Sequence, residues 1–155
     1  MLKTAELSTL EVCFNQLISA LITKTTSTEQ FTVKLGYENS QFTRFNHAKV
    51  RQTGEVQDGW VELTLMKNQC RSFRQFPFTG NWEIDWQRTY TALEELREEL
   101  PLLPLDPYLV LPAGNHTSRE VNTGKLLPTD TVVPSLLAPV SGLRLYRHVC
   151  RGICD

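Results

Sequence analysis

What most constrains this chain is the alternation of apolar and polar side chains between residues 31 and 76, in short runs divided by turn-forming residues. Phe31, Val33 and Leu35 form the first run, and Gly36 is expected to break it. A longer stretch from Phe42 to Val56 follows, with a bend expected at Gly54. Asp58-Gly59 reads as a hairpin turn, after which Trp60, Val61, Glu62, Leu63, Thr64 and Leu65 alternate cleanly. Lys67-Asn68-Gln69 makes another turn, and Arg71 to Phe76 is the last strand, ended by Pro77, which has no amide to donate. Connections this short join antiparallel neighbours.

Helical spacing frames these strands. Leu10, Phe14, Leu17, Ile18 and Leu21 lie on one stripe and predict a helix over about Thr9 to Ile22. Ser8-Thr9-Leu10-Glu11 is its capping box, and the threonine-rich stretch 23–28 its end. A second helix is expected to start between Asn81 and Asp85, to bury Trp86, Tyr90, Leu93, Leu96 and Leu100, and to stop at Pro101. A third, short helix is expected in Val132 to Val140. The fold class is therefore α+β: an antiparallel sheet of about four strands with helices packed on one face. Residues 1–111 are expected to form this domain, and 112–128, polar and glycine-containing, a connector. Residues 129–143 would begin a further domain and 144–155 a tail.

The composition supports a packed core, with 41% apolar residues in 155. Sixteen basic residues against seventeen acidic leave a net charge of −1, which supplies no general field for nucleic acid or anionic membrane. No apolar run approaches the roughly 18 residues of a membrane-spanning helix. The start, Met1 to Glu6, lacks the basic tip and apolar run of a secretory signal. A soluble, cytoplasmic protein without a membrane partner is expected. Cys13 and Cys70 stand alone, in keeping with a reducing compartment. His148, Cys150 and Cys154 cluster at the end, but a structural zinc site needs four ligands, so no metal is assigned there.

Catalytic signatures are missing: no H-E-x-x-H, no G-x-S-x-G, no P-loop and no dinucleotide glycine fingerprint. His47 reads as an ordinary strand residue, and the sequon at Asn115-His116-Thr117 as chance. The most unusual stretch is Glu38 to Gln52, which packs amides, hydroxyls and two arginines into a strand region. It reads either as a sheet face open to water or as an edge that pairs with an extended peptide, with Ser40, Arg44, Asn46 and Arg51 as the binding residues. A nucleic-acid reading, with Arg44, Lys49, Arg51, Arg71 and Arg74 beside Phe42, Phe45, Phe73 and Phe76, is weaker. The phenylalanines are expected in the core, and Glu38, Glu55, Asp58 and Glu62 dilute the charge.

The run Glu38-x-Ser40-x-Phe42-Thr43-Arg44-Phe45-Asn46, continued by Val50-Arg51-Gln52-x-Gly54-x-Val56, resembles the amino-terminal domain of TldD/PmbA-type proteins. So do Leu93-x-x-Leu96-Arg97 and Leu103-Pro104-x-Asp106-Pro107-Tyr108. The resemblance covers roughly Phe31 to Leu143 and points to the metallopeptidase-related branch once described as modulators of DNA gyrase. It implies a cytoplasmic, two-domain protein that forms homodimers or pairs with a related subunit and acts on extended or unfolded peptides. In active relatives zinc is held in the carboxy-terminal domain by an H-E-x-x-x-H helix and a cysteine. That motif is absent here, so no catalytic, cofactor or metal residue is carried over, and the chain alone is not expected to cleave peptides. Relatives continue differently after Leu143. Residues 129–143 are therefore read as the start of a truncated carboxy-terminal domain and 144–155 as a frameshifted tail. The alternative reading is a non-enzymatic interaction module that uses its sheet face or edge.

Overall fold

A computed structural model describes residues 4–46, 49–122 and 124–140. In chain order the elements are α1 (Thr4–Lys24), β1 (Gln30–Asn46), β2 (Lys49–Lys67), β3 (Cys70–Pro77), α2 (Trp82–Glu99) and α3 (Thr129–Leu137). Short 3-10 turns follow α2 at Leu100–Leu102 and α3 at Ala138–Val140. The class is α+β as expected, but the antiparallel sheet has three strands, in the order β1-β2-β3, rather than about four. Residues 4–38 and 57–122 form one compact unit; 39–46, 49–56 and 124–140 form a second.

The strand count differs because neither Gly36 nor Asp58-Gly59 interrupts the pairing. The stretch 42–56, expected as one strand with a bend at Gly54, is divided between β1, which ends at Asn46, and β2, which begins at Lys49. Gly36 and Gly54 lie inside β1 and β2, and Asp58-Gly59 is strand rather than hairpin turn. Each glycine lies under an aromatic ring of the facing strand: Gly36 under Trp60, Gly54 under Phe42 and Gly59 under Tyr37. A ring laid across a strand glycine restores the packing its missing side chain forfeits. The turn between β2 and β3 forms as expected. Lys67 pairs with Cys70, and Asn68 and Gln69 have φ values of 52° and 60°. Two successive left-handed residues are the type I′ geometry that matches strand twist.

One face of the sheet carries the core. Phe31, Val33 and Leu35 of β1, with Val61, Leu63 and Leu65 of β2, meet Cys13, Leu17 and Leu21 of α1 and Ala92, Leu93 and Leu96 of α2. Helix α1 begins a turn earlier than its expected cap, so Ser8 lies within it. Glu11, the other half of that capping box, instead pairs with Arg119 at 2.6 Å. The helix ends where the threonines bond back to its last carbonyls: Thr23 Oγ1 donates to Ala20 O at 2.7 Å and Thr25 N to Leu21 O at 2.9 Å.

Helix α2 starts at its expected place. Asn81 Oδ1 caps it by accepting Ile84 N at 3.2 Å. Gly80 before it has φ +76°, and a Cβ there would come 2.7 Å from Leu10 Cδ2. The expected buried side is only partly right. Leu93, Leu96 and Leu100 are buried, but Tyr90 is exposed and Trp86 half-buried. Trp82, Trp86 and Tyr90 instead form a row along the helix flank, with centroids 5.6 and 5.9 Å apart. The buried positions beside them are polar, Asp85 and Thr89. Asp85 accepts Thr79 N and Thr79 Oγ1, both at 2.9 Å, and Thr89 Oγ1 donates to Asp85 O at 2.7 Å.

Candidate functional site

The candidate peptide-binding residues lie in the hairpin 39–56, and the pairing of β1 with β2 decides which of them share a face. Lys34 meets Glu62 at 2.9 Å, Trp60 covers Gly36, Phe42 covers Gly54, and Thr43 Oγ1 lies 3.3 Å from Thr53 Oγ1. As one partner's number rises the other's falls by the same step, which is antiparallel pairing in a single register with no bulge across these pairs. Side chains alternate between faces along a strand. Ser40, Arg44 and Asn46 therefore share a face with Phe42, whereas Arg51 lies on the opposite face with Thr43 and Thr53. On that opposite face Gln41 Nε2 donates to Leu127 O at 3.1 Å, tying the segment before α3 to the hairpin.

The same reasoning locates the free backbone groups. The two-residue turn makes Lys67 and Cys70 a hydrogen-bonded pair, and the contact from Phe78 N to Gly59 O, 2.8 Å, continues that parity along β3. Even-numbered residues of β3 hence bond to β2, and Arg71, Phe73, Gln75 and Pro77 turn their backbone groups outward. Two of those outward carbonyls are occupied. Arg74 Nη1 donates to Phe73 O at 3.1 Å and Arg88 Nη1 to Pro77 O at 3.0 Å. Arg74 is itself held from α2 by Glu99 at 2.5 Å and Glu95 at 3.3 Å.

The other edge differs. Since odd-numbered residues of β2 face β3, its even-numbered residues face β1, and the odd-numbered residues of β1 turn outward. In the hairpin these are Asn39, Gln41, Thr43 and Phe45. Among the described residues no backbone hydrogen bond reaches them from outside the hairpin. Asn39 Oδ1 is shielded from solvent and accepts no hydrogen bond there. The composition of Glu38 to Gln52 singles out this region, but the outward set follows only from a continuous register, which the expected bend at Gly54 and turn at Asp58-Gly59 conceal.

The remaining chemistry-bearing groups serve the fold. Glu29 accepts Arg97 Nε and Nη2 at 3.0 and 2.8 Å and Thr26 N at 3.0 Å, with Lys67 at 3.6 Å. The Arg97 hydrogen bonds hold its carboxyl at about 2, well below the usual range. Burial, with Asp85 and Glu83 nearby, pushes the Cys13 thiol up, away from a reactive thiolate. Cys70 Sγ lies 3.6 Å from Leu103 O, and both cysteines are free. No group of three metal-ligating side chains occurs among the described residues. Within them, too, no helix is long and apolar enough to cross a membrane. A groove of about 590 Å³ along α1 and the start of α2 is lined by Val12, Asn15, Gln16, Ser19 and Trp82 and holds no acid or base.

The nucleic-acid set is not assembled as a patch. Arg74 is committed to Glu95 and Glu99, and only Phe76 of the four phenylalanines packs against the core. Phe42, Phe45 and Phe73, expected in the core, are exposed, because their positions fall on the hairpin or on the sheet's uncovered face. His47, residues 141–143, the tail 144–155 and its cluster of His148, Cys150 and Cys154 lie outside the described residues.

Together these elements define an α+β class: a three-stranded antiparallel sheet with helices on one face, its β3 edge capped by arginines and its hairpin edge free of backbone-to-backbone hydrogen bonds from outside among the described residues. Neither a family model, nor a curated protein, nor a solved structure matches the chain.

Proposed function

We propose that this chain is a non-catalytic recognition domain whose hairpin edge takes up an extended polypeptide. It would correspond to the amino-terminal, cleft-forming and dimer-forming domain of a TldD/PmbA-type, metallopeptidase-related protein. The observation that carries this reading is the outer edge of β1. Asn39, Gln41, Thr43 and Phe45 direct amides and carbonyls away from β2, and among the described residues no backbone-to-backbone hydrogen bond from outside the hairpin takes them up, although the Gln41 side chain donates to Leu127 O. Only another extended chain matches such a row at strand spacing.

Arg44 and Asn46, on one face with Ser40, would select acidic or amide side chains of the bound segment, and Arg51 would act from the other face. The partner in assembly is a second copy or a related subunit. Zinc and bond cleavage, in this reading, belong to the carboxy-terminal domain of full-length relatives, and the working compartment is the cytoplasm. A second reading, a protein-interaction module acting through the uncovered sheet face, is favoured by Phe73, which is 58% exposed.

The test uses fluorescence anisotropy with a fluorescein-labelled, permanently unfolded casein. Thr43→Pro removes an outward amide while leaving the β1–β2 hydrogen bonds in place. Saturable binding by the full chain, weakened about fivefold or more by Thr43→Pro and about threefold by Arg44→Ala with Asn46→Ala, is expected. Unchanged affinity in Thr43→Pro, with unchanged circular dichroism, removes the edge from consideration. Cleavage of the casein by the purified chain contradicts the non-catalytic part.

A further inference from the structure

The proline-rich stretch that follows α2 shows a period of three in its exposure. Leu103, Asp106, Leu109 and Pro112 are half-buried, while the two residues between each of them are exposed. The first two inward positions are fastened to β3 and its turn: Leu103 packs against the core, Cys70 Sγ lies 3.6 Å from its carbonyl, and Asp106 N donates to Gln69 O at 2.8 Å, while Leu109 N bonds back to Asp106 O at 3.2 Å. The outward positions are apolar and almost bare. Leu102 is 83% exposed, Leu105 69%, Tyr108 89% and Val110 86%. A segment pinned on one side cannot turn these side chains inward.

We infer that this strip is the surface through which two copies of the chain pair. The inference rests on the dimer-forming part of the reading above and names the face. Four such side chains present on the order of 600 Å². Monomers seldom leave more than a few hundred Å² of contiguous apolar surface bare, and each partner of a stable dimer covers roughly 800 Å². With the prolines between them, the strip supplies most of one side. Its charge fits a second copy. A two-fold interface sets a surface against itself, so any charge on it meets its own like. From Pro101 to Asn115 the only charged residue is Asp106, which is half-buried and turned to accept Tyr108 N at 3.0 Å.

Sedimentation equilibrium over a range of concentrations tests this, on the full chain and on Leu105→Lys with Tyr108→Lys. Both sites are exposed, so the substitutions bear on association rather than folding. The wild type is expected to dimerise, the variant to dissociate about a hundredfold more readily, and hydrogen exchange at 101–112 to slow with concentration only in the wild type. A monomeric wild type, or a variant that dimerises as well as the wild type, overturns the inference. Casein anisotropy on the same variant keeps the two readings apart. Retained affinity with lost dimerisation supports the strip, whereas absent casein binding by a dimeric wild type defeats the peptide reading and leaves the strip standing.

Discussion

Glu29, the residue before β1, has its side chain 2% exposed, yet it is ionised, because Arg97 of α2 reaches it with two nitrogens at 2.8 and 3.0 Å. The same guanidinium donates to Lys24 O, 2.7 Å, at the end of α1, so one side chain joins both helices to the first strand. The folded carboxyl sits at about 2 against an ordinary 4.5. A lowered value means that the folded state favours the ionised form. Its contribution is complete above pH 4.5 and is lost as pH falls through the folded value. That difference corresponds to roughly 3 kcal/mol. Glu29→Gln is expected to lower urea-measured stability by about 2–3 kcal/mol at pH 7, and the gap between variant and wild type to close between pH 4.5 and 2. A gap of constant size across that window would show that packing rather than charge accounts for the loss.

Among the elements, β3 illustrates how an edge is closed. Its outward carbonyls at Phe73 and Pro77 are taken by Arg74 and Arg88, and α2 holds Arg74 through Glu95 and Glu99. Charged side chains on an edge are a common protection against strand-to-strand association. Arg74→Ala with Arg88→Ala is expected to scatter light on prolonged incubation under conditions in which the wild type stays clear. A solution that stays clear argues that Pro77 alone suffices. The strand pattern, the α2 start at Asn81 and the turn at Asn68-Gln69 are all legible in the sequence, because local chemistry decides them. The continuity of β1 and β2 is not. Gly36 and Gly59 look like breaks, and Gly54 like a bend, until Trp60, Tyr37 and Phe42 are known to lie across them, and such pairs connect residues that are not neighbours in the chain. Tyr90 misleads for a related reason: its place in the helical stripe is apolar, but the buried register passes through Asp85 and Thr89.

At the scale of the whole chain, the two units interleave rather than follow one another, since 39–56 groups with 124–140 and not with the strand halves that flank it. Reading domains along the sequence cannot show this, because the hairpin's partner lies far downstream, as in the bond from Gln41 to Leu127, 86 residues on. The burial is unequal. Every buried apolar residue among those described lies in 4–38 or 57–122, apart from Val132. The larger unit should therefore fold without the hairpin. Register names the cut: Glu38 faces Asp58, a position of the hydrogen-bonded parity, which a two-residue type I′ turn requires. Replacing 39–57 with Asn-Gly is expected to keep the helical circular dichroism and a single cooperative melt, with stability within about 2 kcal/mol of the full chain. Casein binding should disappear at the same time, since the edge residues have gone. A variant that loses cooperativity would show instead that the hairpin is needed for the larger unit to hold its core.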